Sequence, residues 1–122
     1  MSGALSEEYA ANLILYEKLI STNPIVERKG ATMPYTSLNG HMFSFLSKEG
    51  RMAIRLPSGE REEFLEKYQT ELSVQYGSVM KEYVVVPDAL LKMTDELMHY
   101  FDISFNYVKS LKPKPTKKKP KK

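Results

Sequence analysis

His41 and His99 are the only imidazoles in the chain, and there is no cysteine. Thiol nucleophiles, thiolate metal sites and disulfides are therefore excluded together. Neither histidine lies in a His-x3-His spacing or beside a carboxylate pair at a helical interval, so the usual way of gathering metal ligands on one helix face is missing. The crowded carboxylates Glu60, Glu62, Glu63 and Glu66 fall in the first turns of an expected helix. There they complement the positive end of the helix dipole and form a solvated face. Ser37, Ser44, Ser47 and Ser58 stand outside any Gly-x-Ser-x-Gly context, and no glycine-rich loop offers a cradle for phosphate. The expectation is a protein that is not an enzyme and that uses no cofactor and no metal.

Charge points to a different chemistry. Lys112, Lys114, Lys117, Lys118, Lys119, Lys121 and Lys122 supply seven of the 18 basic residues. The remaining 11 meet 15 acidic groups, so residues 1–111 carry a net charge of −4 although the whole chain carries +3. The segment KPKPTKKKPKK has no hydrophobic residue and three prolines. It cannot offset its ordering entropy and is expected to be a disordered tail, 112–122. Flexible lysines can neutralise several phosphates of a nucleic acid or other polyanion, weakly and without reading bases. A tail that only confers solubility is the other reading.

Length and patterning define what holds these groups. With 122 residues, 42% of them hydrophobic, one domain over 1–111 is expected. No apolar stretch approaches the roughly 20 residues that span a bilayer. The start, MSGALSEEYAANLILYEKL, carries glutamates where a secretory signal has a basic beginning. The expectation is a cytoplasmic protein without membrane contact.

A helix is expected from Ser6 to Thr22, capped by Ser6, with Tyr9, Leu13, Tyr16 and Ile20 on one face. Thr22-Asn23-Pro24 ends it. In PYTSLNGHMFSF, Asn39-Gly40 divides two strand-like runs by two residues, the signature of a type I′ hairpin. That turn sets Leu38 opposite His41, Thr36 opposite Phe43 and Pro34 opposite Phe45. A four-residue reversal at Ser47-Lys48-Glu49-Gly50 then sets Phe45 opposite Met52 and Phe43 opposite Ile54. The meander spans roughly 32–56. Leu38, Phe43, Phe45, Met52, Ile54 and Leu56 form its core face, and His41 is a rim histidine on that side. Met33, Tyr35, Ser37, Met42, Ser44, Leu46, Arg51, Ala53 and Arg55 form the other face. Its aromatic, methionine and arginine side chains are the kind enriched at interfaces, so Tyr35, Met42, Arg51 and Arg55 are candidates for contact with a protein partner. The alternative is that the C-terminal helix packs over them.

Past Pro57, Ser58 can cap a helix carrying Phe64, Leu65, Tyr68 and Leu72 as its stripe. Val79–Val86 is β-branched enough for a strand. Leu72–Tyr76 is either its short partner or the end of the helix. Pro87-Asp88 begins a helical turn, and Thr94 can cap a last helix with Leu97, Phe101, Ser104, Val108 and Leu111 in phase. The fold class is α+β, an antiparallel sheet with helices packed on it, in the order α-β-β-β-α-(β)-β-α.

The run ERKGATMPYTSLNGHMFSFLSKEGRMAIRLP, an acidic helix, and then KEYVVVPDALLKMTDEL resemble the N-terminal domain of the TfoX (Sxy) family over most of residues 8–110. Arg28, the Asn39–Phe45 run, the Gly50 turn, the Arg51–Leu56 strand and the Tyr83–Val86 strand ending in Pro87 carry the resemblance. It implies an α+β fold and kinship with proteins that regulate competence for DNA uptake, acting through contacts rather than catalysis. The chain departs from the two-domain regulators in having a lysine tail where they have a helical second domain.

Overall fold

A computed structural model describes residues 7–30, 33–75 and 77–112. The expected Ser6 cap and the tail beyond Lys112 lie outside these residues. Helix α1 (Glu7–Ile20) leads into a three-strand meander, β1 (Tyr35–Leu38), β2 (His41–Leu46) and β3 (Met52–Arg55). Helix α2 (Ser58–Lys67) is followed by β4 (Leu72–Gln75), β5 (Ser78–Val86), the short α3 (Asp88–Leu91) and α4 (Thr94–Ser110). The strands form one antiparallel sheet in the order β1-β2-β3-β5-β4. The segment that sequence left open is therefore strand β4, and Leu72 belongs to it rather than to α2. Gln69 at φ 49° turns the chain between the two.

The first hairpin has the expected turn, with Asn39 at φ 57° and Gly40 at φ 80°. Leu38 pairs with His41 and Ser37 with Met42, but then Thr36 pairs with Ser44 and Tyr35 with Phe45. One extra residue in β2 makes a bulge, which turns Phe43 and Ser44 toward the same side. The next reversal also differs from the expected one. Ser47 N–H donates to the Arg51 carbonyl, so the loop is the three residues Lys48-Glu49-Gly50, closed by Gly50 at φ 83°. A side chain on Gly50 would also press on α1, because a Cβ there would lie 3.2 Å from Tyr9 Cα.

These two departures re-sort the strand residues. Leu46 faces Met52, Phe45 faces Ala53 and Ser44 faces Ile54. Phe45 therefore leaves the helix side, while Ser44 and Leu46 join it. On that side one cluster unites Phe43, Leu46, Met52, Ile54, Val84 and Val86 with Tyr16 of α1, Phe64 of α2, Leu90 of α3 and Phe101 of α4. Phe43 meets Phe101 and Phe105 at ring distances of 5.4 and 6.0 Å. Ser44 is accommodated there by hydrogen bonds, with Tyr16 Oη at 2.7 Å and Thr36 Oγ1 at 2.6 Å. Burial raises the Tyr16 phenol well above its ordinary range, against the opposing effect of these bonds.

The four helices among the described residues thus cover one face, and α4 packs on the Phe43 side rather than over Tyr35 and Met42. Asn12 binds the arrangement together, donating to the Gly50 carbonyl at 2.8 Å and to Asp88 Oδ1 at 3.2 Å. Two expected caps are replaced. Ser58 is the first helical residue behind Pro57, and Thr94 the first behind Met93, so neither side chain bonds its helix end. Thr94 Oγ1 is buried without a hydrogen-bond partner.

Candidate functional site on the open sheet face

Strand alternation sends Tyr35, Phe45, Ala53 and Val85 to the face opposite the helices, along with Met42, Arg55 and Tyr83. Phe45 and Ala53 are 1% and 2% exposed, so they form a closed floor, while Tyr35, Met42, Tyr83 and Val85 are half-buried around it. Tyr83 leans across the strands, its ring 5.9 Å from that of Phe45 and its hydroxyl donating to the Met42 carbonyl at 2.6 Å. Burial raises the Tyr83 phenol above its ordinary value, which keeps it a donor.

Beside this floor lies a cleft of about 800 Å³, lined among others by Met33, Arg51, Ala53, Ser73, Gln75 and Val85. Carboxylates Glu8, Glu49 and Glu71 and the cations Lys48 and Arg51 ring it. An apolar floor with a mixed polar rim suits a protein segment, because the floor supplies buried area and the rim supplies orientation.

The four residues singled out from sequence do not make one patch. Arg51 is exposed at the mouth of the cleft, and Tyr35 and Met42 flank the floor on the β1–β2 side. Arg55 is committed elsewhere. Its Nε donates to Glu82 at 2.6 Å, and its guanidinium carbon lies 5.5 Å from the Tyr107 ring centre and 6.0 Å from that of Tyr83. Tyr107 Oη also donates to Glu82, at 2.9 Å. Partial burial of Glu82 works against ionisation, but the bonds from Arg55 and Tyr107 and the charges of Arg55 and Arg61 outweigh it and hold the carboxyl below its usual range. Burial, aided by the bond to Glu82, raises Tyr107. Arg55 is thus a clamp between β3, β5 and α4, not a free contact.

Histidine placement is equally specific. His41 Nε2 lies 2.9 Å from the Lys112 carbonyl, and His99 is exposed with its ring 5.2 Å from that of Tyr100. Among the described residues no three His, Asp or Glu side chains converge as a cation site. No described helix is long and apolar enough to cross a membrane. Lys112 is exposed, and Lys114, Lys117, Lys118, Lys119, Lys121 and Lys122 lie outside the described residues.

Phe45, Ser73, Tyr83 and Val85 were missed. Tyr83 and Val85 share a parity in KEYVVV that could have marked a second face, but the run of three valines hides which of them points where. No family model, no curated protein and no solved structure matches this chain.

Proposed function

We propose that this chain is a non-enzymatic interaction domain of the kind its TfoX-N resemblance suggests, which holds a protein partner against the open face of its sheet in a regulatory process. One observation carries this reading: the described helices all lie on one side, and the other side keeps an aromatic and aliphatic floor beside a cleft of about 800 Å³. A cleft beside an apolar floor, ringed by polar and charged groups, matches the ordinary anatomy of a contact site.

The test is photo-crosslinking with a benzophenone amino acid placed at Arg51, Gln75 or Tyr35, and, as control, at Ala11 or Asn106 on the exposed sides of α1 and α4. The reading expects one discrete adduct shared by the sheet-face positions and absent from the helix positions. Adducts only from the helix positions would refute it.

A second reading is favoured by the way α4 ends. The carbonyl of Lys112, the first lysine of the tail, is held by His41, so the tail is rooted at a defined place on the domain. Here the protein contacts nucleic acid weakly, without sequence preference, through its lysines. Titration of labelled duplex with the full chain and with a chain ending at Leu111 separates the readings, since only the second requires tail-dependent binding at physiological salt.

A further inference from the structure

The two edges of the sheet are not equally closed. At one edge Lys29 lies alongside β1, its N–H donating to the Tyr35 carbonyl at 2.8 Å and its carbonyl accepting from the Tyr35 N–H at 2.9 Å. At the other edge β4 pairs with β5, and among the described residues no strand lies on its outer side. Edge strands are commonly blunted by a lysine, a proline or a bulge of their own. β4 has none of these: it reads Leu-Ser-Val-Gln, and between the pairs Leu72↔Val84 and Val74↔Val79 the surplus residues fall on β5. Only its length of four residues limits it. Val74 and Val79, which face each other, are both 55% exposed, so this edge is apolar as well as open.

The main chain of β4 offers its free groups in a regular pattern. The Glu71 carbonyl faces β5, where it accepts from the Val85 N–H at 2.9 Å. Main-chain groups alternate in direction along a strand, so Ser73 and Gln75 also face β5, while Leu72 and Val74 turn their N–H and C=O outward. Residues 71–75, Glu-Leu-Ser-Val-Gln, read polar, apolar, serine, apolar, polar in either direction. Set antiparallel against a second copy with Ser73 opposite Ser73, the strand brings Leu72 opposite Val74 on both sides of a two-fold axis. These are the residues with outward groups, and each such pair exchanges both its hydrogen bonds across the seam. The side chains agree with this register. Leu72 and Val74 of both copies meet on one face with Val79 beside them, and each Glu71 stands opposite the neutral Gln75 amide, a donor, instead of opposite the other Glu71.

We propose that two copies of this chain associate through antiparallel pairing of their β4 edges, joining their sheets into one continuous sheet. The two-fold axis runs perpendicular to that sheet, so the open faces of both copies lie on the same side. Because Glu71–Gln75 also line the cleft, the two clefts then stand side by side along the seam. This goes beyond the partner reading above, which needs only one copy of the chain. A seam of one short strand from each copy buries less than the roughly 1,200 Å² of a stable interface, so the dimer is reversible and concentration-dependent, not obligate.

The experiment is sedimentation velocity of the full chain up to about 1 mM, where a shift from monomer to dimer is expected as concentration rises. Val74→Pro removes an outward N–H and no bond to β5, and is expected to give a monomer that keeps the parent's circular dichroism. Val74→Lys sets two ammonium groups at the seam and is also expected to be monomeric, which covers the case of a proline variant that fails to fold. Ile14→Lys, at an apolar position 68% exposed on α1, is expected to dimerise as the parent does. The register has its own test, because the chain has no cysteine. Opposed residues lie about 4.5–5.5 Å apart, within disulfide reach, whereas the two Glu71 positions are separated by about 13 Å along the strands. Glu71→Cys mixed with Gln75→Cys should therefore oxidise to a disulfide-linked dimer faster than either variant alone. Equal rates for the mixture and the single variants would overturn the β4–β4 pairing, and so would an Ile14→Lys chain that dimerises as poorly as Val74→Lys. A parent chain that stays monomeric throughout would overturn the proposal and leave the edge to an extended segment of another protein.

Discussion

Asn39 holds a left-handed backbone at φ 57° while its side chain caps the last carbonyls of α4, and these roles respond differently to substitution. Glycine takes that backbone without strain but cannot donate, so Asn39→Gly isolates the cap. We expect it to cost about 1 kcal/mol and Asn39→Ala about twice that, measured by urea unfolding. A neutral Asn39→Gly would mean that the cap contributes nothing. Glu82 makes a prediction in pH. Its folded pKa is depressed, so its stabilising contribution is present above the ordinary glutamate value near ~4.3 and is lost as pH falls through the folded value. Tyr107 is raised, so its contribution is present below ordinary tyrosine ionisation and is lost as pH rises through its raised value. Glu82→Gln should therefore flatten the fall of Tm between about pH 5 and about pH 3. An unchanged acid limb would show that the Arg55–Glu82 contact is too solvated to matter.

At the scale of elements, the order of helices and strands and the type I′ turn were legible, because Asn39-Gly40, Pro57 and Pro87 punctuate strong periodic runs. Facing was legible only in part. The bulge at Phe43-Ser44 carries no residue signature of its own, and it reverses the parity of everything after it in β2. Gly50 was the missed clue to the second turn, since a glycine closing in the left-handed region marks a three-residue loop. Ser44 was placed outward by the bulge-free register, yet it turns inward and Tyr16 and Thr36 satisfy it there. The re-sorting predicts that Leu46→Ala costs about 2–5 kcal/mol, because Leu46 lies in the main core at 0% exposure. A loss below about 1 kcal/mol would place Leu46 on the open face and restore the simpler register.

For the whole molecule, the candidate site was half visible. Tyr35, Met42 and Arg51 were on the correct face, but the floor beneath them depends on Phe45, which local alternation assigned to the core, and on β5 residues that only the sheet order brings alongside. Arg55 illustrates a different limit: its type suited a contact, and only the fold reveals that Glu82 already holds it.

The central claim, that the sheet face left bare by the helices is where a partner sits, has a direct test because the chain has no native cysteine to interfere. Single-cysteine variants Arg51→Cys and Val85→Cys would be labelled by a maleimide in the purified protein and in cells that naturally make it, with Lys92→Cys, at an exposed position, as reference. The account predicts that both sheet-face thiols react readily when purified and are slowed at least tenfold inside the cell, relative to the thiol of the Lys92→Cys reference. Equal reactivity in both settings at Arg51→Cys and Val85→Cys would contradict it.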